Sequence, residues 1–276
     1  MVKFEISLTG DIDDGSEDLD VCLRPLIEML RSHEIGMTIP VVASALQKQP
    51  RKVEYLRDAG MEIAGHGDVH VPFVGPVDSQ VRRLSEMNRI FKETLGESPA
   101  GFRAPFLAHD SNLYPALAKA GLRYDSSRIA RDILLRIRNL LSKRPLAYRD
   151  PARRLPSLLT AHVLGKTASR PYEVAPGVIE LPVFELDDWY FIESDRGPRL
   201  RPEEGALLAQ TWLSAVRHFS RPGNLLVLQA HPGRISPGYL KALESFLEES
   251  QRLGSEFLSL RELARRVSVS NRGRLQ

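Results

Sequence analysis

Met61-Glu62-Ile63-Ala64-Gly65-His66-Gly67-Asp68-Val69-His70 is the stretch from which the chain is best read. Its first half (Met61, Ile63, Ala64) is apolar and strand-like, and its second half carries two histidines four residues apart. That spacing predicts two imidazoles facing one point across a single helical turn. Imidazole is the commonest protein ligand for zinc and related divalent metals, and the end of a strand is where α/β enzymes place their chemistry. The pair alone is a weak signal, because many histidine pairs at this spacing bind nothing. The rest of the chain has to supply a further ligand.

Outward from this stretch, strand-like and helix-like segments alternate. Lys3 to Thr9 alternates at period two and reads as a strand, as do Gly36 to Val42, Gly101 onward, Val178 to Phe184 and Asn224 to Gln229. Leu19, Cys22, Leu23, Leu26, Ile27 and Leu30 recur at helical spacing. Further helices are expected over Val53 to Ala59, from Asp78 as a cap to Gly96 as a stop, and from Asp110 through Ala120. Later ones start at Pro202, at Ser236-Pro237 and at Ser259, where Glu262 completes a capping box. Repeated β–α alternation predicts parallel strands with outer helices, in a barrel or a doubly wound sheet. Residues 128–170 break the rhythm. They are rich in Arg, Lys and Leu, and Ile133, Leu134, Ile137, Leu140 and Leu141 fit one face of a basic amphipathic helix. The segment reads as an inserted excursion packing on the domain, or as a surface for anionic lipid or a phosphorylated substrate.

With 276 residues, 42% hydrophobic and 26% charged, the chain has ordinary globular composition and can bury a sizeable core. A net charge of +3 does not make it a polyanion binder by charge alone, so nucleic acid is not an expected partner. The single cysteine, Cys22, excludes an intramolecular disulfide and is expected to be a small buried hydrophobe. No signal peptide or membrane-length apolar run is visible, which gives an expectation of a cytoplasmic protein.

Thr9-Gly10-Asp11-Ile12-Asp13-Asp14-Gly15 ends the first strand with three carboxylates in four residues. They repel one another, and a cation or an arginine relieves that most readily; a solvated acidic turn is the plainer alternative. With His66 and His70 the cluster offers an Asp-His-His set, and three protein ligands with an open position is the usual catalytic zinc arrangement. Three more segments add to it. Phe102-Arg103-Ala104-Pro105-Phe106 has an arginine at a strand end. Phe184-Glu185-Leu186-Asp187-Asp188-Trp189 sets acids beside an aromatic. Leu226-Val227-Leu228-Gln229-Ala230-His231-Pro232 ends an apolar strand in a histidine.

In these five pieces, in this order from residue 4 to about 232, the chain resembles the NodB-like polysaccharide deacetylases of the carbohydrate esterase 4 type. The resemblance implies a distorted (β/α) barrel, about seven-stranded, as one catalytic domain over 1–276. It implies Asp13, His66 and His70 as metal ligands, Asp11 as general base and Arg103 as its partner. His231 would be the general acid, oriented by Asp188, with Trp189, Pro105 and Phe106 on the substrate. The family's first motif has adjacent acids, whereas here they are spaced by one. A second register, with Asp13 as base and Asp14 as ligand, therefore stays open. Gln229 stands where a leucine usually lines the acetyl pocket, so an acyl group other than acetyl is open too. Zinc suits Asp-His-His, while cobalt, nickel or iron share these ligands. The expected activity is hydrolysis of a linear amide, the N-deacylation of an N-acyl amino sugar. The substrate is a small, nucleotide-linked or lipid-linked sugar, the last met at the membrane surface by a peripheral protein. Two other readings stand beside it: a haloacid-dehalogenase-like phosphatase using Asp11 and Asp13, which leaves the histidines idle, and an inactive carbohydrate-binding relative. His33, His162 and His218 read as structural or exposed, and His109 as a candidate for the cleft.

Overall fold

The computed structural model describes residues 4–15, 17–130, 170–184, 187–188, 201–220 and 224–273. Trp189, His162 and most of the basic excursion, residues 131–169, lie outside the described residues, as does the side chain of His218.

A parallel sheet forms the frame. β1 (Phe4–Gly10) pairs in parallel with β10 (Leu225–Ala230) along its length, and beside it stand β2 (Thr38–Val41), β3 (Glu62–Gly65), β4 (Gly101–Phe102), β5 (Tyr124–Asp125) and β8 (Val178–Glu180). On the other flank lie β9 (Val183–Phe184) and β6 (Ile129–Ala130). The hydrogen-bonded order is β6-β9-β10-β1-β2-β3-β4-β5-β8-β7, where β7 (Tyr172–Ala175) is the antiparallel edge. β11 (Ser255–Phe257) pairs with β1 beside this path. The sheet thus has eleven strands among the described residues, more than the seven expected. The extra ones are two to four residues long, too short to show a sequence period.

Period-two alternation sorts the core into two layers. On β1, Ile6 and Leu8 face the helices and join one large cluster with α1 (Arg24–Ser32), α2 (Ala43–Lys48), α3 (Pro50–Asp58), α4 (Val77–Leu95) and α5 (Leu113–Lys119). α6 (Pro202–Phe219) and α7 (Pro237–Arg252) complete that outer layer. A second cluster, including Tyr124, Ile179, Leu181, Val183, Leu225 and Val227, fills the concave side together with Leu260 and Leu263 of α8 (Leu260–Gly273). At the close approach of β4 and β5 glycine is required, because a Cβ on Gly101 would lie 2.1 Å from the Tyr124 ring.

Several caps follow the sequence. Ser259 and Glu262 form their capping box, Ser236 accepts from the Tyr239 N–H, and Gly96 ends α4 with φ of 84°. Asp78 does not cap α4. The helix begins one residue earlier, at Val77 behind Pro76, and Asp78 sits in its first turn. α8 runs to Gly273. Cys22 is buried as expected. Among the described residues no helix is long and apolar enough to cross a membrane.

Candidate metal and acid–base site

The singled-out residues follow the C-terminal ends of the strands. After β1 the chain keeps its alternation for three more residues. Ile12 is 1% exposed and bridges to Val41, so Asp11 and Asp13 both turn to the concave side. The Asp-x-Asp spacing is therefore a continuation of the pleat.

Asp11 is buried and fully engaged. Its Oδ1 accepts from Arg103 Nη1 at 2.7 Å, and its Oδ2 accepts from Gln229 Nε2 at 2.7 Å. Arg103, with no exposure, also donates to Thr9 Oγ1, the Ser126 carbonyl and Ser126 Oγ. A buried ion pair needs this kind of satisfaction to offset desolvation. Gln229 thus contacts an acid, not an apolar pocket, on the same register as Thr9.

Asp13 Oδ1 lies 3.3 Å from both His66 Nε2 and His70 Nε2. The three donor atoms all fall within 4.8 Å of one another. His66 is buried, and its Nδ1 is 2.8 Å from the Arg103 carbonyl. That contact makes Nδ1 the protonated nitrogen and leaves Nε2 as a lone-pair donor. The two histidines do not sit on a helical turn as the spacing suggested. They lie in a bent loop in which Gly67 takes φ of 93°, and their ring centroids are 5.4 Å apart. Burial pushes Asp13 upward, but the hydrogen bond to His66 and the charges of His66, His70 and His231 outweigh it, so its carboxyl is held below its ordinary value. Burial, opposed by Asp13, pulls His70 below the ordinary imidazole range. Asp14, the ligand of the second register, is exposed and stands outside this donor cluster.

These donors fit a divalent metal. Tetrahedral bonds of about 2.0–2.1 Å separate neighbouring ligand atoms by roughly 3.3 Å, which is the separation from Asp13 to each histidine. Ligation would require an ionised carboxylate and neutral imidazoles at these positions.

His231 stands beside this cluster. Its Nδ1 is 2.5 Å from Asp188 Oδ1, and its backbone N–H donates to Asp188 Oδ2 at 2.7 Å. Asp188 has no exposure. Burial alone would lower the His231 pKa, but Asp188, followed by Asp11 and Asp187, pushes it up to about 9. Pro105 is buried, and Phe106 is 66% exposed with φ of 58°, its ring 4.3 Å from that of His70. Val69, Val71 and Val74 add exposed apolar surface on the same loop. His109 is hydrogen-bonded to Tyr114, and His33 pairs with Glu244.

Three residues of the site's surroundings escaped the sequence reading. Lys52 of α3, nearly buried, donates to the carbonyls of Gly15 and Glu17 and ties down the loop that carries Asp13. Arg234, also nearly buried, senses the charges of Asp188, Asp187 and Asp13. Arg83 of α4 grips Asp68, between the two histidines.

The family description that matches residues 4–124 is polysaccharide deacetylase. The matched region holds Asp11, Asp13, His66, His70 and Arg103, and the NodB-like fold continues through the strands that lead to Asp188 and His231. Three solved structures share that fold. A protein from Mycobacterium smegmatis described as a polysaccharide deacetylase is 22% identical, with 98% of this chain and 91% of that chain covered and a TM-score of 0.71. Puue allantoinase is 17% identical, with 95% and 89% covered and a TM-score of 0.67. A family 4 acetyl xylan esterase from Clostridium thermocellum, in complex with a cobalt ion, is 15% identical, with 94% and 89% covered and a TM-score of 0.54. At these identities the likeness establishes the fold alone. No curated protein matches the sequence. Polysaccharide deacetylase-family members are hydrolases of carbon–nitrogen bonds other than peptide bonds, and they use a divalent metal.

Proposed function

We propose that this chain hydrolyses a linear amide, removing the acyl group from the nitrogen of an N-acylated amino sugar or glycan precursor with the help of a divalent metal. The observation that carries the reading is the convergence of two units: the Asp13–His66–His70 donor cluster and the Asp188–His231 pair. Asp13, His66 and His70 would hold the metal, with zinc the best match to this donor set and cobalt, nickel or iron as alternatives. The bound metal supplies Lewis acidity toward the amide carbonyl and makes water a stronger acid.

The protein's own groups supply the rest. Asp11, oriented by Arg103 and Gln229, takes a proton from the attacking water. His231 is protonated at neutral pH and keeps Nδ1–H on Asp188, which leaves its Nε2–H to protonate the departing nitrogen. That proton matters because an amide nitrogen leaves poorly as an anion. Phe106 and Pro105 would line the substrate's approach; Trp189, to which the resemblance gives the same role, lies outside the described residues.

A lipid-linked sugar is the finer proposal for the substrate. Val69, Val71, Val74 and Phe106 present apolar surface next to the metal ligands, which suits an apolar chain attached to the sugar. The reading places the chain in the cytoplasm, peripheral to a membrane. Unchanged liposome binding after joint loss of Arg136, Arg138, Lys143 and Arg144 would remove the role of the basic segment.

Acyl release is the direct test. Metal-replete protein should liberate acid from an N-acyl amino sugar, chelation should stop this, and restoring the metal should recover it. D13A should lose both the metal and the activity. Metal-replete protein inert toward every N-acyl sugar would overturn the reading.

A further inference from the structure

We propose that Arg83 is a positioning residue for the metal site, and that it acts through Asp68 to hold His70 in place. The inference rests on the metal-site reading above. The two histidines are secured very differently. His66 emerges directly from β3, is buried, and has its ring fixed by the Arg103 carbonyl. Among the described residues His70 has no such carbonyl on Nδ1. Its ring contacts are Asp13, His66 and the exposed Phe106. Its position therefore depends on the backbone of residues 67–72, which form neither helix nor strand.

Arg83 holds that backbone. Its Nε and Nη2 donate to Asp68 Oδ1 at 2.9 and 2.7 Å, and Nε also reaches Oδ2 at 3.2 Å. The same guanidinium donates to the Pro72 carbonyl at 2.9 Å and to the Val71 carbonyl at 3.4 Å. It thus grips the chain on both sides of His70, two residues before and one and two after. Its own plane rests on Phe73, with Cζ 3.9 Å from the ring centroid. Phe73 is fully buried and bridges to His109, so the platform is part of the core. The first N–H groups of α2 also fasten the Gly67 and Asp68 carbonyls. Arg83 and Asp68 are each about one-fifth exposed, so the pair is shielded more than a surface ion pair. Only arginine has the planar fork that meets a carboxylate and two carbonyls at once.

The experiment titrates Co²⁺, followed by visible absorption, and Zn²⁺, followed by calorimetry, into chelator-stripped full-length protein. R83M should weaken both metals about 10- to 100-fold, the range for losing a partner behind the ligands. D68N should approach the same loss, R83K should not rescue it, and the double variant should lose no more than R83M alone. If R83M fails to fold, D68N and R83K carry the test. A lowered melting temperature of the metal-free protein with unchanged metal affinity would make Arg83 merely structural and overturn the inference. Wild-type protein that binds neither metal would overturn the metal-site reading instead.

Discussion

His231 is caught between burial, which disfavours its charge, and Asp188, which favours it. Asp188 wins, and the pKa rises to about 9 from an ordinary value near 6.5. The acid form is then present below about pH 9, so amide hydrolysis should fall as pH rises through that value. D188N should move this limb to lower pH, and H231A should cut kcat by about 10²–10⁴. A pH–rate profile checks both, and an alkaline limb that ignores D188N would deny His231 the acid role. Because the folded pKa is raised, the pair's contribution to stability is full below about pH 6.5 and is lost as pH climbs to about 9. The seven residues read from the sequence as metal and acid–base groups do converge, because each follows a strand end and parallel strands bring those ends together. The Arg103–Asp11 and Asp188–His231 contacts were implied by the resemblance, but the other contacts that aim these groups were not legible. Gln229 meets Asp11 across 218 residues, and Arg83 meets Asp68 only because α4 packs against that loop. Neither follows from spacing.

β5 and β8 show what short elements hide. They have two and three residues, and no period can be read from so few. Their register nevertheless sets Asp125 directly beside Glu180, on the face toward α5 and away from the metal ligands. Burial pushes both carboxyls above their ordinary range; Asp125 further opposes ionisation of Glu180, whereas the hydrogen bond from Glu180 favours the ionised form of Asp125. Ser127 donates to Asp125 and the Arg128 N–H to Glu180, while His109, Tyr114, Tyr172 and the Arg128 side chain face the pair. Longer strands were better signalled: β1 and β10 each carry an unbroken pattern over six or more residues. A carboxyl whose folded pKa is raised favours the folded state below its unfolded pKa, about 4.3 for Glu, and costs stability as pH rises beyond it. E180Q removes one of the two ionisations and can donate to Asp125. Its melting temperature should gain on wild type progressively from about pH 5 to pH 8. A difference that stays constant across that range would mean the pair does not ionise against burial.

Across the whole molecule the two ends of the sheet do different work. The C-terminal strand ends carry the candidate chemistry, and the opposite end is closed by α8. β1 makes that closure possible by changing partners along its length: Phe4 to Ile6 pair with β11, and Thr9 pairs with β2. The fork admits the chain from β11 into the concave side. There Thr38 Oγ1 accepts from the Leu260 N–H and Glu62 Oε2 from the Arg261 N–H, so a carboxylate also faces the positive end of α8. Leu260 and Leu263 then complete the inner cluster with Tyr124, Ile179, Leu225 and Val227, none of which belongs to the metal or acid–base groups. Stability at this end and chemistry at the other should therefore separate. L263A empties a fully buried position and should cost about 2–5 kcal/mol, read from urea denaturation. Below its unfolding transition the variant should keep the wild-type metal affinity and turnover. A parallel loss of metal binding in folded L263A would show that the two ends are coupled through β1, which carries Asp11 and Asp13 at its upper end and the β11 pairing at its lower.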